Sequence, residues 1–151
     1  MKWVDMFRGR FEITIDNKGR INIPSRFRDT FKERYDDRLI ITNFDNCLVA
    51  YPYSEWVELE KKASQLSMVK REAKAFLRFF ISGATECTMD KQGRILIPPV
   101  LKNYAALEKE IVVAGMLNKV EIWSRVRWEE ELKLSEDNFD DMAEVLSELG
   151  I

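Results

Sequence analysis

Two arginines, Arg20 and Arg94, each follow a glycine directly and occupy the same place in a nine-residue stretch that occurs twice. The stretch reads Asp-Asn-Lys-Gly-Arg-Ile-Asn-Ile-Pro at 16–24 and Asp-Lys-Gln-Gly-Arg-Ile-Leu-Ile-Pro at 90–98. Six of its nine positions are identical, at a constant offset of 74 residues. A repeat with a fixed offset indicates two copies of one structural unit.

The guanidinium group of each arginine allows two kinds of chemistry. It could form an ion pair with the aspartate of its own motif, Asp16 or Asp90, which contributes little to stability at an exposed site. It could instead project beside Lys18 or Lys91 and meet a phosphate or a guanine base. The residues alone leave both alternatives open.

The other motif residues have an architectural explanation. Asp16 and Asp90 can hydrogen-bond the backbone of a turn, and Gly19 and Gly93 permit the positive φ that such a turn requires. The isoleucines can fill a core, and the proline, which has no N–H to donate, ends the strand. We therefore expect the aspartates and glycines to form the turns that present the arginines.

The elements around each motif follow from hydrophobic periodicity. Alternation of apolar and polar residues predicts a strand over 7–15 that joins a returning strand at Arg20 in a hairpin with Lys18 near its tip. A helix and two further strands follow, so that one copy is β-β-α-β-β. The second copy predicts a strand over 81–89 in the same way. Serines are expected to cap three helices, namely Ser25, Ser54 and Ser124.

The predicted fold class is mainly β with α, and the chain divides into four parts. These are a first domain at 6–56, a helical connector at 57–80, a second domain at 81–128 and an acidic helical tail at 129–151. A unit of such a size buries too little surface to be stable alone, so the two copies are expected to share a core.

Charge is distributed unevenly along the chain. The net charge is −2, but residues 129–151 carry −8 and residues 1–128 carry +6. A basic body suits a polyanionic partner near the repeats, although an excess of this size could equally well serve only to solvate the surface. The tail has an apolar stripe that needs a partner surface, either within the chain or on a neighbouring subunit.

The composition argues against several classes of catalytic, metal-binding and membrane protein. The sequence has no histidine, which removes Ser-His-Asp and Cys-His catalysis and most zinc chemistry. Cys47 and Cys87 lack Cys-x-x-Cys spacing and are interpreted as small core residues in a reducing compartment. Residues 1–5 lack the apolar core of a signal peptide, and no apolar run approaches a membrane span. We therefore expect a cytoplasmic protein with no metal and no membrane partner.

Four motifs in this order resemble the MraZ family, bacterial relatives of the AbrB-type transition-state regulators. They are Asp-x-Lys-Gly-Arg-x-x-x-Pro at 16–24, Asp-x-Gln-Gly-Arg-Ile-x-Ile-Pro at 90–98, Met-Phe-Arg-Gly at 6–9, and Cys-Leu-x-x-Tyr-Pro-x-x-x-Trp at 47–56. The resemblance covers residues 6 to about 135, and no motif residue is missing.

The resemblance implies a fold and a function. The fold is two tandem AbrB-like swapped-hairpin β-barrel halves with packing helices, and several chains assemble into a homo-oligomeric ring. The function is sequence-specific binding of double-stranded DNA at direct repeats upstream of the protein's own cell-division and cell-wall operon. A nucleoid-associated transcriptional repressor without a cofactor is expected.

The family's DNA-contacting arginines correspond to Arg20 and Arg94. Physical reasoning adds four cations, which are expected to neutralise phosphates, namely Arg8, Arg10, Lys18 and Lys91.

Two other functions remain as alternatives. The first is an antitoxin-type module of AbrB-like fold whose acidic tail binds a protein partner. The second is an enzyme, for which only carboxylate chemistry at Asp16 and Asp90 would remain. Because a carboxylate three residues before a turn glycine fits a backbone-capping role, we predict that the chain is not an enzyme.

Overall fold

The structure is a computed structural model and describes residues 6–151. Its strands are β1 (Arg10–Thr14), β2 (Arg20–Asn22), β3 (Arg38–Phe44), β4 (Cys47–Pro52), β5 (Thr85–Thr88), β6 (Arg94–Leu96), β7 (Glu110–Gly115) and β8 (Val120–Ser124). Its α-helices are α1 (Ser25–Arg34), α2 (Tyr53–Ala63), α3 (Arg71–Phe76), α4 (Pro99–Tyr104), α5 (Arg125–Asp137) and α6 (Phe139–Glu148). A π-helical segment, Leu77–Ile81, continues α3. The α+β class and the order β-β-α-β-β of each copy are confirmed.

The two halves exchange their first strands. Six strands form one antiparallel sheet in the order β1-β7-β8-β4-β3-β5, so that β1 pairs with β7 and β5 pairs with β3. The remaining two strands, β2 and β6, pair with each other in a separate two-stranded ribbon. The swapped arrangement implied by the resemblance is therefore present.

This exchange corrects the prediction of a hairpin paired with itself. The predicted turn forms, but β1 and β2 leave it to pair with strands of the other half. Local alternation predicts that both segments are strands, and it carries no information about their partners. Ile15 and Ile21, at the two ends of the turn, are both buried in the shared core. Because neither half buries enough surface alone, pairing across the halves is the stable solution.

A pseudo-twofold axis relates the halves. In the ribbon, Ile21 lies opposite Ile95, its own equivalent in the repeat. In the sheet, Val49 lies opposite Glu121, which stands 72 residues later, the offset of the closing strands. The axis therefore passes through the centre of the ribbon and between β4 and β8.

Both halves contribute to each of two apolar clusters. The larger cluster lies between the ribbon, α1, α4 and one face of the sheet, and its fully buried members include Ile21, Phe27, Phe31, Ile95, Ile97 and Ile111. The smaller cluster includes Ile40, Tyr51, Trp56, Phe80, Val112 and Trp123. Cys47 and Cys87 are buried and not disulfide-bonded, as expected for core residues. Burial raises the pKa of the Cys87 thiol to about 11.

The helix starts agree with the sequence at one of three serines. The Ser124 hydroxyl accepts a hydrogen bond from the Arg127 backbone N–H at 3.1 Å and caps α5. The other two predicted caps are wrong, because Pro24 and Pro52 occupy the N-cap positions of α1 and α2. Both prolines have extended ψ values, 139° and 145°, so the serines after them are already inside the helices.

The strand predicted over 81–89 begins later than expected. The π-helical segment continues to Ile81, and β5 starts only at Thr85. Side chains of β3 hold the end of this helix in place: the Thr42 hydroxyl donates to the Phe80 carbonyl at 2.7 Å, and the Asn43 amide donates to the Phe79 carbonyl at 3.2 Å. These hydrogen bonds satisfy carbonyls that the helix leaves open.

Of the residues described, no helix combines the length and the apolar character needed to cross a bilayer. The interpretation of residues 1–5 lies outside the part of the chain that the structure describes.

Replacement of a core residue on the axis tests the shared core. We predict that Ile95→Ala lowers the free energy of unfolding by about 2–5 kcal/mol, because it leaves a cavity between the halves. Ile95 is 1% exposed. Urea titration followed by circular dichroism should give a single transition for both wild type and variant. The control is Val100→Ala, at a side chain 78% exposed, with an effect within about 0.5 kcal/mol. Two separate transitions would contradict a core common to both halves.

Candidate nucleic-acid interface

The first turn is closed by Asp16. Its Oδ1 accepts hydrogen bonds from the backbone N–H groups of Lys18 and Arg20, both at 2.9 Å. Its backbone carbonyl accepts from the Gly19 N–H at 3.0 Å, and its own N–H donates to the Arg20 carbonyl at 2.9 Å. Gly19 has φ of +83°, a conformation that side-chain-bearing residues rarely adopt. The turn-forming role of Asp16 and Gly19 follows from these contacts.

The second turn repeats this geometry. Asp90 Oδ1 accepts from the backbone N–H groups of Gln92 and Arg94, both at 2.9 Å. The Gly93 N–H donates to the Asp90 carbonyl at 3.0 Å, and Gly93 has φ of +76°. Equal distances at both turns show that the shared residues of the repeat specify one local structure.

Each aspartate also fixes the side chain of its arginine. Arg20 Nε donates to Asp16 Oδ2 at 2.9 Å, and Arg94 Nε donates to Asp90 Oδ2 at 2.9 Å. The arginine side chains are 31% and 28% exposed. Within residues 6–151 no side-chain hydrogen bond other than the one at Nε is formed by either arginine. The ion pair and an outside contact are therefore compatible, since the terminal Nη1 and Nη2 groups remain available to a ligand.

The carboxyl groups respond to these contacts. The backbone N–H of Arg20, followed by its side chain and the Lys18 N–H, lowers the pKa of Asp16 against the opposing effect of desolvation. The pKa of Asp90 is lowered in the same way, first of all by the backbone N–H of Arg94. Both aspartates are thus held in the charged form that orients the arginines.

The ribbon places the two arginines on one surface. Arg20 lies opposite Leu96, and Asn22 lies opposite Arg94. Because opposed residues of an antiparallel pair share a face and neighbours along a strand alternate, these four side chains lie on one face of the ribbon. The intervening Ile21 and Ile95 face the core. From this register, the Cα atoms of Arg20 and Arg94 are about 8 Å apart.

We call these four residues, Arg20, Asn22, Arg94 and Leu96, the ribbon face. Sequence reasoning identified its arginines and missed its other two members. The signal available was the strand alternation, which puts residues 20 and 22, and 94 and 96, on the same side.

The four remaining predicted cations fall into two groups. Lys18 and Lys91 are exposed on the turns beside the ribbon. Arg10 begins β1, and its guanidinium lies 5.8 Å from the ring centre of Trp128. At a strand rise of about 3.3 Å per residue, the Cα atom of Arg10 lies roughly 20 Å from the first turn. Arg8 precedes it by two residues, and its backbone lies against Gly115. The structure thus brings the lysines to the arginines and places Arg8 and Arg10 elsewhere.

One cation at the second turn was missed. Arg28, on α1, donates from Nη1 to the Gln92 carbonyl at 3.2 Å. A Cβ added at Gly93 would lie 2.3 Å from Arg28 Cδ, whereas at Gly19 the nearest atom would be the Ile97 carbonyl oxygen at 3.6 Å. The second turn is therefore covered by an arginine side chain from the first half, which would have to move if Gly93 carried a side chain. The sequence offered one signal for this residue: at the repeat offset of 74, Arg28 corresponds to Lys102, so both copies carry a cation at this helix position.

The charged side chains of the ribbon and its turns are mainly cationic. Among residues 6–151, no three or more Cys, Asp or Glu side chains are grouped so as to hold a metal ion. What the site offers is guanidinium and ammonium groups on an exposed two-stranded ribbon, an arrangement suited to a polyanion.

Comparison with known proteins places the chain in a family. The family model described as "MraZ protein, putative antitoxin-like" matches twice in tandem, at residues 6–79 and 80–148. The chain belongs to the MraZ family. The resemblance seen in the motifs is confirmed.

Relatives of similar length carry the MraZ name. The chain is 48% identical over 147 residues to "Transcriptional regulator MraZ" of Pediococcus pentosaceus, covering 97% of this chain and all of that protein. It is 47% identical over 146 residues to the protein of that name from Moorella thermoacetica, again over 97% of this chain and all of the relative. The Desulforamulus reducens protein of that name is 48% identical over 145 residues, 95% of this chain and 99% of the relative. These are names of regulators, in agreement with the prediction that the chain is not an enzyme.

The aspartates provide a test by pH. Because their pKa values are lowered in the folded state, their contribution to stability is present above about pH 3.8, the ordinary value, and is lost as pH falls through the folded values. We predict that the double variant Asp16→Asn, Asp90→Asn is less stable than wild type at pH 7. The difference should shrink on acidification, as measured by urea midpoints between about pH 7 and pH 2.

The control for this experiment is Glu33→Gln, at an exposed residue on α1 that forms no hydrogen bond or ion pair with the described part of the chain. A stability difference for the double variant that stays constant across the pH range would contradict the assigned role of the aspartates.

Proposed function

We propose that this protein is a sequence-specific DNA-binding transcriptional regulator, and specifically a repressor, that reads direct repeats upstream of its own operon. The observation that carries the proposal is the ribbon face. Two arginines, each oriented by an aspartate, stand about 8 Å apart on one exposed two-stranded ribbon. The names of the relatives support a role in transcription.

The dimensions of the ribbon suit duplex DNA. A two-stranded ribbon fits the major groove, which is about 12 Å wide, and an arginine there can bind O6 and N7 of guanine with two hydrogen bonds. Arg20 and Arg94 use Nε for their aspartates, so Nη1 and Nη2 are the groups that face the bases. Fixing a guanidinium before binding removes part of the entropy cost of association.

The other cations contact the DNA backbone in this proposal. Lys18 and Lys91, on the turns that flank the ribbon, neutralise phosphates on either side of the groove. Arg10 lies roughly 20 Å from the first turn by strand rise, and Arg8 precedes it by two residues. In this proposal both meet phosphates outside the groove that the ribbon enters. Bound in this way, the protein needs no cofactor and works in the cytoplasm at the nucleoid.

Several chains assemble into a ring in this proposal. The acidic tail, residues 129–151, contains α6, whose exposed apolar stripe comprises Phe139, Met142, Val145 and Leu146 and is continued by Leu149 just after the helix. The helical connector, residues 57–80, carries exposed apolar side chains between α2 and α3, namely Leu66, Met68 and Val69. We propose that α6 of one copy packs on this second surface of the next.

Charge supports this pairing of different surfaces. The other side of α6 is acidic, with Asp140, Asp141, Glu144 and Glu148, whereas the connector carries Lys61, Lys62, Lys70 and Arg71 near its apolar residues. A contact between two different surfaces repeats from copy to copy and closes into a ring when the rotation allows. Several ribbons on successive repeats then bind more tightly through effective concentration, although each contact alone is weak.

The regulator acts by occlusion in this scheme, since subunits lying on successive repeats cover promoter DNA.

The division into a first domain at 6–56 and a second at 81–128 belongs to the same proposal. Each domain supplies one arginine to the ribbon, so one chain provides a complete reading unit.

An antitoxin-type module remains a second candidate, because the family description contains the term antitoxin-like and the tail is acidic. In that case α6 would bind a different protein. Its helical form, over Phe139–Glu148, favours a docking surface over the disordered tail expected of an antitoxin.

The DNA contact is tested by removing one arginine. We predict that Arg20→Ala weakens binding to the protein's own upstream region by about 1–3 kcal/mol, because a base contact is lost. Fluorescence anisotropy over a salt series, with scrambled DNA in parallel, measures both affinity and specificity. Wild-type binding should fall steeply with salt, since counterions are released from the phosphates.

The matched control is Arg78→Ala, at an exposed arginine of the π-helical segment, which should bind like wild type. Equal affinity of the wild type for both DNAs, or an unaffected Arg20→Ala, would contradict the proposal.

Assembly is tested by placing a charge in the apolar stripe. We predict that Val145→Asp, at a side chain 56% exposed, dissociates the oligomer to single chains without unfolding them. Light scattering after size exclusion gives the mass, and circular dichroism checks the fold. The matched control is Val100→Asp, which places the same charge at an exposed valine of α4, outside both proposed surfaces, and should leave the oligomer intact. A wild type that is a single chain at all concentrations would refute assembly, and α6 would then be open to the antitoxin-type role.

A further inference from the structure

Two members of the ribbon face have no explanation so far, Asn22 and Leu96. Both are exposed, and the Leu96 side chain is 57% exposed. Within residues 6–151, the Asn22 side chain forms no hydrogen bond or ion pair. The core beneath the ribbon is filled by Ile21 and Ile95, each 1% exposed. Neither side chain therefore belongs to the hydrogen bonds that close the turns or to the two buried clusters.

Their positions are fixed by the register of the ribbon. Arg20 lies opposite Leu96 and Asn22 lies opposite Arg94, so the four side chains form a two-by-two patch. The arginines occupy one diagonal, and Asn22 and Leu96 occupy the other. The Cα atoms of opposed residues are about 5 Å apart, and those of residues two apart along one strand are about 7 Å apart. These distances are comparable to one or two base-pair steps.

The pseudo-twofold axis makes this second diagonal informative. Asn22 and Leu96 stand 74 residues apart and are equivalent in the repeat, just as Arg20 and Arg94 are. Rotation about the axis exchanges Arg20 and Arg94, so the arginine diagonal carries the same side chain at both ends. The other diagonal presents a carboxamide at one end and an apolar side chain at the other. The face is thus symmetric in its arginines and asymmetric in the residues beside them.

The two side chains differ in the base that they can recognise in the major groove. A carboxamide can donate to N7 and accept from N6 of adenine in one bidentate contact, whereas an apolar side chain can pack on the methyl group of thymine. No other described residue of the ribbon lies on this face between the two turns.

We propose that Asn22 and Leu96 determine specificity at the base pairs next to the two arginine contacts, Asn22 by binding adenine and Leu96 by contacting a thymine methyl. This inference rests on the proposed function. It gives the recognised sequence a direction, because guanine contacts related by the axis are flanked by unlike bases. A site with a direction suits successive sites in the same orientation better than a palindrome.

The experiment uses the full chain and its own upstream region, in which each base pair of one repeat is replaced in turn. Asn22→Ala should lose its preference at one base pair, by about 5- to 150-fold, and keep it elsewhere. Leu96→Ala should lose preference at a different base pair on the other side of the centre. Asn17→Ala, on the first turn and off the ribbon face, is the control and should keep the wild-type pattern.

A variant that makes the recognised DNA site more symmetric is a stricter test than the alanine variants. In Leu96→Asn both ends of the second diagonal carry a carboxamide, so selection from a random duplex library should move from a directional site towards an inverted repeat. Both positions are exposed, and a circular dichroism melt confirms that each variant is folded.

The outcomes separate this inference from the proposed function. If wild type is sequence-specific and Arg20→Ala loses binding, while Asn22→Ala and Leu96→Asn keep the wild-type base preferences, then only this inference is overturned. If wild type shows no sequence preference at all, both are overturned. A preference lost at one base pair in Asn22→Ala, together with a symmetrised site in Leu96→Asn, supports the assignment.

Discussion

The structure depends on hydrogen bonding across the two halves. Without β1 and β5, strands β7 and β3 would each present an unpaired edge of backbone N–H and carbonyl groups. Buried backbone groups require partners, and an open strand edge is a site of aggregation. The exchanged strands supply those partners, so neither half has a complete sheet of its own. The ribbon has the same origin, because each of its strands comes from a different half.

The functional surface inherits its geometry from this exchange. β2 has only three residues, and its ladder partner is the equivalent strand of the other half. At the start of each ribbon strand, an aspartate closes the turn through Oδ1 and holds the arginine through Oδ2. One carboxylate thus links the backbone of the turn to the direction of the guanidinium. The arginine serves the local structure through Nε and leaves its outer nitrogen atoms for a ligand.

Some of this arrangement follows from the sequence, and some does not. The repeat predicts two equivalent units, and the alternation of apolar and polar residues predicts most of the strands. The charges of Arg20 and Arg94 identify the two turns as the candidate binding surface. Alternation could not predict the pairing of β1 with β7, because it indicates which face is buried and says nothing about the neighbouring strand; only the family resemblance implied this exchange. The contact of Arg28 with Gln92 joins residues 64 positions apart and depends on that pairing.

The predictions of the capping residues of α1 and α2 were wrong for a local reason. A proline before a serine leaves the serine inside the helix, although serine is the stronger cap by preference. The late start of β5 depends on Thr42 and Asn43 of another strand, which hold the carbonyls at the end of the π-helical segment. Sequence reading is thus reliable here for periodicity and weaker for element ends, where a single side-chain contact decides.

Carrying both halves on one polypeptide has a genetic consequence. A ribbon made by two identical chains would change at both turns with every mutation and would fall apart on dilution. Here each turn has its own codons, and the two copies of the motif differ at Asn17 and Lys91, at Lys18 and Gln92, and at Asn22 and Leu96. A single nucleotide change can therefore alter one end of the surface while the other end is inherited intact, and the ribbon stays assembled at any copy number in the cell.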